Sequence, residues 1–207
     1  IYLRVDGSGD VADDATDTGT KTIKGTHALQ DHILGQVTNQ FADEPTSVTS
    51  STLYRFKLVS VGEGMTMTTA TIGIDDSSGI NSGDVTNARL FEDANSDGTF
   101  SAGELQLGAT GTTTISNGTG TILFGGSWTA SSTVNILLIL DVSNLVIGDY
   151  IKFSLSSSNL NSNGATSIEV VTISGSASVA THSRPLTTRG GGGGGGGEGG
   201  APPASGE

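Results

Sequence analysis

Apolar side chains recur at every second position through much of this chain. That period of two constrains the fold more than any other feature, because only an extended strand turns alternate residues to one face. Tyr54, Phe56 and Leu58 alternate with Arg55 and Lys57, and Met65 and Met67 alternate with Thr66 and Thr68 on the way to Ile72 and Ile74. Further extended runs cover residues 112–115, 120–124, 150–155, 168–173 and 177–181. Across Val134–Val142 five contiguous aliphatic residues, Ile136, Leu137, Leu138, Ile139 and Leu140, predict a central strand buried on both faces. Ser, Thr and Gly punctuate the runs at the spacing of an antiparallel sandwich, so an all-β fold is expected. Leu29, Ile33, Val37 and Phe41 would also fit a helical stripe, but Gly35, Thr38 and Asn39 weaken it and a strand is expected over 33–42.

Residues 93–104 read Asp-Ala-Asn-Ser-Asp-Gly-Thr-Phe-Ser-Ala-Gly-Glu, twelve positions with an oxygen donor wherever a hard divalent cation needs one. Asp93, Asn95 and Asp97 occupy positions one, three and five, where side chains of a tightly turning backbone converge. Gly98 permits the sharp turn, Thr99 offers its carbonyl, Ser101 can hold a bridging water, and Glu104 can close the shell with both oxygens. Phe100 would anchor the loop to a core. This pattern points to Ca2+, whereas an Asp/Asn/Gly surface turn would need neither the aromatic at position eight nor the acid at position twelve. The flanks, 85–91 and 105–107, read as short extended runs rather than the helices of a calcium sensor, so the loop is expected between strands as a structural staple.

The 207 residues divide into three expected parts: an N-terminal strand and acidic linker (1–26), a β-sandwich (27–183), and a Gly-rich tail (184–207) with eight consecutive glycines at 190–197. A net charge of −12 argues against nucleic-acid binding and attraction to anionic membranes, and no stretch is long and apolar enough for direct membrane insertion. An acidic, calcium-stapled β-protein suits an extracellular or cell-surface location. The start at Ile1 fits either removal of a signal peptide or a fragment of a longer chain.

Three successions carry a family likeness: His32-x-x-Gly35-Gln36-Val37-Thr38-Asn39-Gln40-Phe41; Leu53-Tyr54-Arg55-Phe56-Lys57-Leu58; and Gly83-Asp84-Val85-Thr86-Asn87-Ala88-Arg89-Leu90-Phe91-Glu92-Asp93, which runs into the loop. Together with Leu138-Ile139-Leu140-Asp141-Val142, Gly148-Asp149-Tyr150-Ile151-Lys152-Phe153 and Thr181-His182-Ser183-Arg184, the chain resembles modules of large bacterial surface and secreted proteins. The resemblance spans most of residues 30–184 and implies an Ig-like β-sandwich in a structural or adhesive role, with no shared catalytic centre.

Signs of catalysis are sparse, and no enzymatic activity is expected. Asp17-Thr18-Gly19-Thr20 has the form of an aspartic-protease tetrad, but an acidic stretch precedes it where a hydrophobic strand belongs, and no second copy follows. His27, His32 and His182 lack the spacing of a zinc site and are expected at the surface or on strand edges. Trp128 reads as a core residue rather than a sugar platform, and Asn117-Gly118-Thr119 reads as a turn and a glycan acceptor. Asp75 and Asp76 could join the calcium loop or stand as solvated turn residues; the aspartates from Asp6 to Asp17 could bind calcium between modules or form a solvated linker.

The strand at 1–5 alternates Ile1, Leu3 and Val5 and is separated from the core by a linker too polar to bury. Such a strand can complete the open sheet of a neighbour, and head-to-tail repetition of that contact builds a fibre. The expected partners are therefore copies of the chain itself, and the expected function is that of a non-enzymatic filament subunit. The alternative is a module of a cell-surface adhesin or carbohydrate-binding protein.

Overall fold

The computed structural model describes residues 25–43 and 45–185. The strand at 1–5, the acidic linker with Asp17-Thr18-Gly19-Thr20, and the glycine tail lie outside the described residues. Within them the fold is all-β, with twelve strands, one 3-10 turn at Ser157–Asn159 and no α-helix. The strands are β1 (Thr26–Gln30), β2 (Val48–Val61), β3 (Met65–Ser78), β4 (Val85–Glu92), β5 (Gln106–Leu107) and β6 (Thr112–Ser116). They continue with β7 (Thr119–Phe124), β8 (Trp128–Ala130), β9 (Val134–Val142), β10 (Tyr150–Ser156), β11 (Leu160–Gly164) and β12 (Ile173–Ser183).

Hydrogen-bonded neighbours run β5-β4-β9-β2-β1-β12-β10-β3-β7-β6, with β8 and β11 added on β3. The sheet curls so that its two halves share one core. β12 belongs to both: it pairs in parallel with β1 through Ile173, Ser174 and Gly175, then antiparallel with β10 from Ser176 to Ser183. Gly175 sits at the crossing with φ +87°, and a Cβ there would lie 2.4 Å from the Leu29 carbonyl oxygen, so this crossing requires glycine. Leu29, Tyr54, Phe56 and Leu58 from one half pack with Met65, Met67, Ile72, Ile74 and Phe153 from the other in one continuous apolar cluster, giving the molecule its sandwich-like character. The alternation of β2 and β3 produces this: inward residues are buried, while Arg55, Lys57 and Thr68 point away.

β9 is buried on both faces. Ile136, Leu138 and Leu140 enter the central core, whereas Leu137 and Ile139 lie on the opposite face with Phe91 and Phe100. Asn117 and Gly118 join β6 to β7 with φ +51° and +80°, the doubly left-handed turn that matches the twist of a two-residue hairpin.

Two expected strands are corrected. Residues 33–42 form turns and irregular chain, neither strand nor helix. The amides of Gln36 and Asn39 take over hydrogen bonds that a strand backbone would have made. Gln36 accepts from Arg55 N and donates to Arg55 O, at 3.1 and 2.6 Å; Asn39 accepts from Ser183 N and donates to Ser183 O, at 2.9 and 2.7 Å. Residues 168–173 contribute one isolated bridge, Val170 with Asn163, before β12 begins at Ile173. The reason is the turn before it: Ile168 has φ +56°, outside any strand conformation.

Candidate metal centre

The twelve-residue loop leaves β4 at Glu92 and returns to β5 at Gln106, antiparallel neighbours at one end of the sheet order. Its mouth is pinched by the Glu92 N–H donating to the Leu105 carbonyl at 2.9 Å, and the Asp93 N–H donates to Asn135 O on β9 at 2.9 Å. No helix flanks it, in line with a strand-bound loop.

Local turns bring the first three acidic and amide residues together. Asp93 is buried; its Oδ1 accepts from Asp97 N at 3.1 Å and its Oδ2 accepts from Gly98 N at 2.8 Å. Asn95 Oδ1 accepts from Asp97 N at 3.2 Å, Asn95 Nδ2 donates to Asp97 Oδ2 at 2.8 Å, and Asp97 Oδ1 accepts from Thr99 N at 2.8 Å. Each short side chain bonds backbone one turn ahead, which is the local preference of Asp and Asn. Gly98 is favoured by its φ of +73°, and a Cβ there would also displace the Arg55 guanidinium that packs over it. Phe100 stacks on Phe91 with centroids 4.4 Å apart and covers Leu137 and Ile139, so the loop closes the outer face of β9.

Glu104 stands at the far side. Its Oε2 accepts from Ser101 N at 3.0 Å, while its Oε1 is buried without a hydrogen-bond partner. Its carboxyl is pushed above the ordinary carboxylate range, first by partial burial and then by the charges of Asp93 and Asp97, against the opposing Ser101 N–H. A buried carboxylate oxygen without a donor, beside two further acids, is a deficit of positive charge that a hard cation would fill. The donor set of the loop is all oxygen, which suits calcium and not a soft metal. Among the described residues no three His, Cys, Asp or Glu side chains stand together as a formed metal cage.

The sequence did not point to His32 as part of this site. Its Nδ1 accepts from Leu34 N at 3.2 Å, which leaves the Nε2 proton to be donated to Asp93 Oδ2 at 2.8 Å, both side chains fully buried. Arg55 lies on the same side, with Nη1 3.5 Å from the Gly98 carbonyl oxygen and Nη2 donating to Gln36 O at 2.7 Å. Nothing in the local pattern around residue 32 signals a partner 61 positions away.

All three histidines are buried, which corrects the surface expectation. His27 Nδ1 lies 3.4 Å from Ser162 Oγ, and His182 sits against Phe41 and Phe153. Asp75 and Asp76 are not brought to the loop: they lie on β3, where Asp75 accepts from Ser154 of β10 and Asp76 pairs with Lys152 across the ladder. Trp128 is half-buried against the central core, and Asn117 is exposed at its turn. No helix among the described residues is long and apolar enough to cross a membrane. Compared with models of known protein families and with curated proteins, the chain matches none.

Proposed function

We propose that the protein is a non-enzymatic extracellular structural subunit: an Ig-like β-sandwich stapled by Ca2+ at residues 93–104, which joins copies of itself into surface filaments through the strand at 1–5. The observation that carries the calcium reading is the buried Oε1 of Glu104, which has no hydrogen-bond partner in a carboxyl that also feels the charges of Asp93 and Asp97. In this reading Asp93, Asn95, Asp97 and Glu104 supply side-chain oxygens, Thr99 its carbonyl and Ser101 a bridging water, and the shell closes around the ion. Bound there, calcium ties β4 to β5 and presses Phe100 onto β9, a role in stability rather than signalling.

A structural role is also supported by the surface. The large apolar residues exposed among those described are all aliphatic, where recognition of sugars favours an aromatic platform. A carbohydrate-binding adhesin module, the second function expected from sequence, has no such observation in its favour, though Asn117 remains a candidate glycan acceptor.

Thermal unfolding in calcium and in excess chelator tests the staple. With calcium at about 100 times its Kd the folded state gains about 2.7 kcal/mol, so chelation should lower Tm by several degrees. Asp93→Ala with Glu104→Ala should abolish the response; an unchanged Tm on chelation would sink the calcium reading. Electron microscopy of the full chain beside one lacking residues 1–5 tests assembly, fibres being expected from the full chain alone.

A further inference from the structure

The two halves of the curled sheet separate beside β11. One side of β11 is paired to β3 along its length. On the other side the segment leading into β12 meets it through the Asn163–Val170 bridge, with Gly164 N donating to Glu169 O at 2.9 Å and Val171 N donating to Ser162 O at 3.1 Å. Beyond that the segment turns away to pair with β1, and a groove of about 460 Å³ opens between the two chains. Leu160, Val171 and Ile173 give it an apolar floor, and Thr68 and Asn161 a polar rim.

Val170 lines it, and Ile168 precedes it in the turn before; at 76% and 80% exposed they are the two most exposed large apolar side chains among the described residues. Ile168 is also held at φ +56°, a conformation costly for a β-branched residue. The fold's own packing uses neither side chain. An apolar floor with an exposed aliphatic side chain at its rim is what an alternating apolar segment needs to bury its one face.

We propose that this groove accepts residues 1–5 of a second copy, laid in extended form between β11 and the segment leading into β12, a proposal that rests on the assembly reading above. Ile1, Leu3 and Val5 would present one apolar face about 15 Å long to the groove, leaving Tyr2 and Arg4 on the other. Residues 1–5 contain Arg4 and no acid, so an acidic surface does not repel them as it would the five aspartates from Asp6 to Asp17.

The path of the chain fits. Gly25, where the body begins, donates its N–H to Glu63 Oε1 at 3.0 Å, and the same carboxylate accepts from Thr166 N and Ser167 N in the turn that carries Ile168. The linker therefore starts beside the turn that leads into the groove-lining segment 170–173. Its 19 residues, 6–24, have a contour of about 60 Å. A body of this size is roughly 40 Å across, so the strand can reach the same groove on a neighbour.

The natural chain has no cysteine, which makes a disulfide test unambiguous. Full-length Leu3→Cys and Val170→Cys chains, one carrying a mass tag, are mixed in calcium and oxidised, with Val179→Cys, another exposed site, as the control. A mixed disulfide dimer formed at least several-fold more efficiently than with Val179→Cys is the expected result, and Val170→Glu should then prevent polymer. Polymers on the grid without the preferred disulfide would overturn this acceptor and leave the assembly reading standing. Neither polymer nor disulfide would overturn both. A chain carrying both cysteines that closes on itself at high dilution, with no mixed dimer, would overturn the second copy as occupant.

Discussion

His182 shows how a single buried side chain fixes its own protonation state. Its Nε2 lies 2.7 Å from the Leu53 carbonyl and must carry the proton, and its Nδ1 accepts from Gln40 N at 3.0 Å. A second proton would have to sit on Nδ1, facing a donor. Burial lowers the pKa, only partly countered by the Leu53 carbonyl, and His32, with Leu34 N on its Nδ1 and Asp93 on its Nε2, is likewise lowered by burial. For both, the folded pKa lies below the unfolded value near 6.5, so the unfolded chain takes up protons first. Their contribution is complete above that pH, begins to fall below it, and is lost as pH falls on through the lower folded pKa. Denaturant midpoints measured between pH 7.5 and 5 should therefore fall, with a slope of at most about 1.4 kcal/mol per pH unit for each histidine. Replacing His182 with Gln should flatten the slope even though it lowers the starting stability.

β9 and the loop that covers it depend on each other. With Leu137 and Ile139 on the outer face, β9 needs a lid, and Phe100 of the 93–104 loop is part of it. Phe100→Ala should cost about 2 kcal/mol, below the usual range for a fully buried Phe because this one is half-buried, and should weaken calcium affinity by loosening the loop. Calorimetry of the variant with and without calcium measures both. The strands legible in the sequence were β2, β3, β7 and β10 by their alternation, β9 as an unbroken aliphatic run, and β4, β5, β6 and the second half of β12 as shorter extended runs. β1 and β11 were not legible because their sequences, Thr-His-Ala-Leu-Gln and Leu-Asn-Ser-Asn-Gly, hold few apolar residues and owe their strand state to neighbours. The 33–42 segment misled for the opposite reason: its apolar periodicity is real, but Gln36 and Asn39 compete for the backbone partners. In the 93–104 loop the local turns of Asp93, Asn95 and Asp97 were readable, whereas the link from Asp93 to His32 depends on the tertiary fold.

Across the whole molecule, Glu63 joins segments far apart in sequence. Its carboxylate is held at about 2 by the Gly25 N–H, the Ser167 N–H and hydroxyl, and the Thr166 N–H. The depressed value means that its contribution is present above its ordinary pKa and is lost as pH falls toward 2. Glu63→Gln should accelerate amide exchange at Thr166 and Ser167 while leaving exchange in β9 unchanged, since the core does not pass through that clasp. Equal acceleration in β9 would show the clasp to be part of the global unfolding unit instead.

The parallel pairing of β1 with β12 also has a mechanical meaning. Among the described residues the first strand and the last lie side by side and point the same way, so tension applied at Gly25 and beyond Ser183 pulls them in opposite directions along their length. Their cross-strand hydrogen bonds then bear the load simultaneously in shear, instead of opening one at a time as in a peeled hairpin. A chain with this connectivity resists stretching through its terminal strands, and the body transmits tension before it unravels.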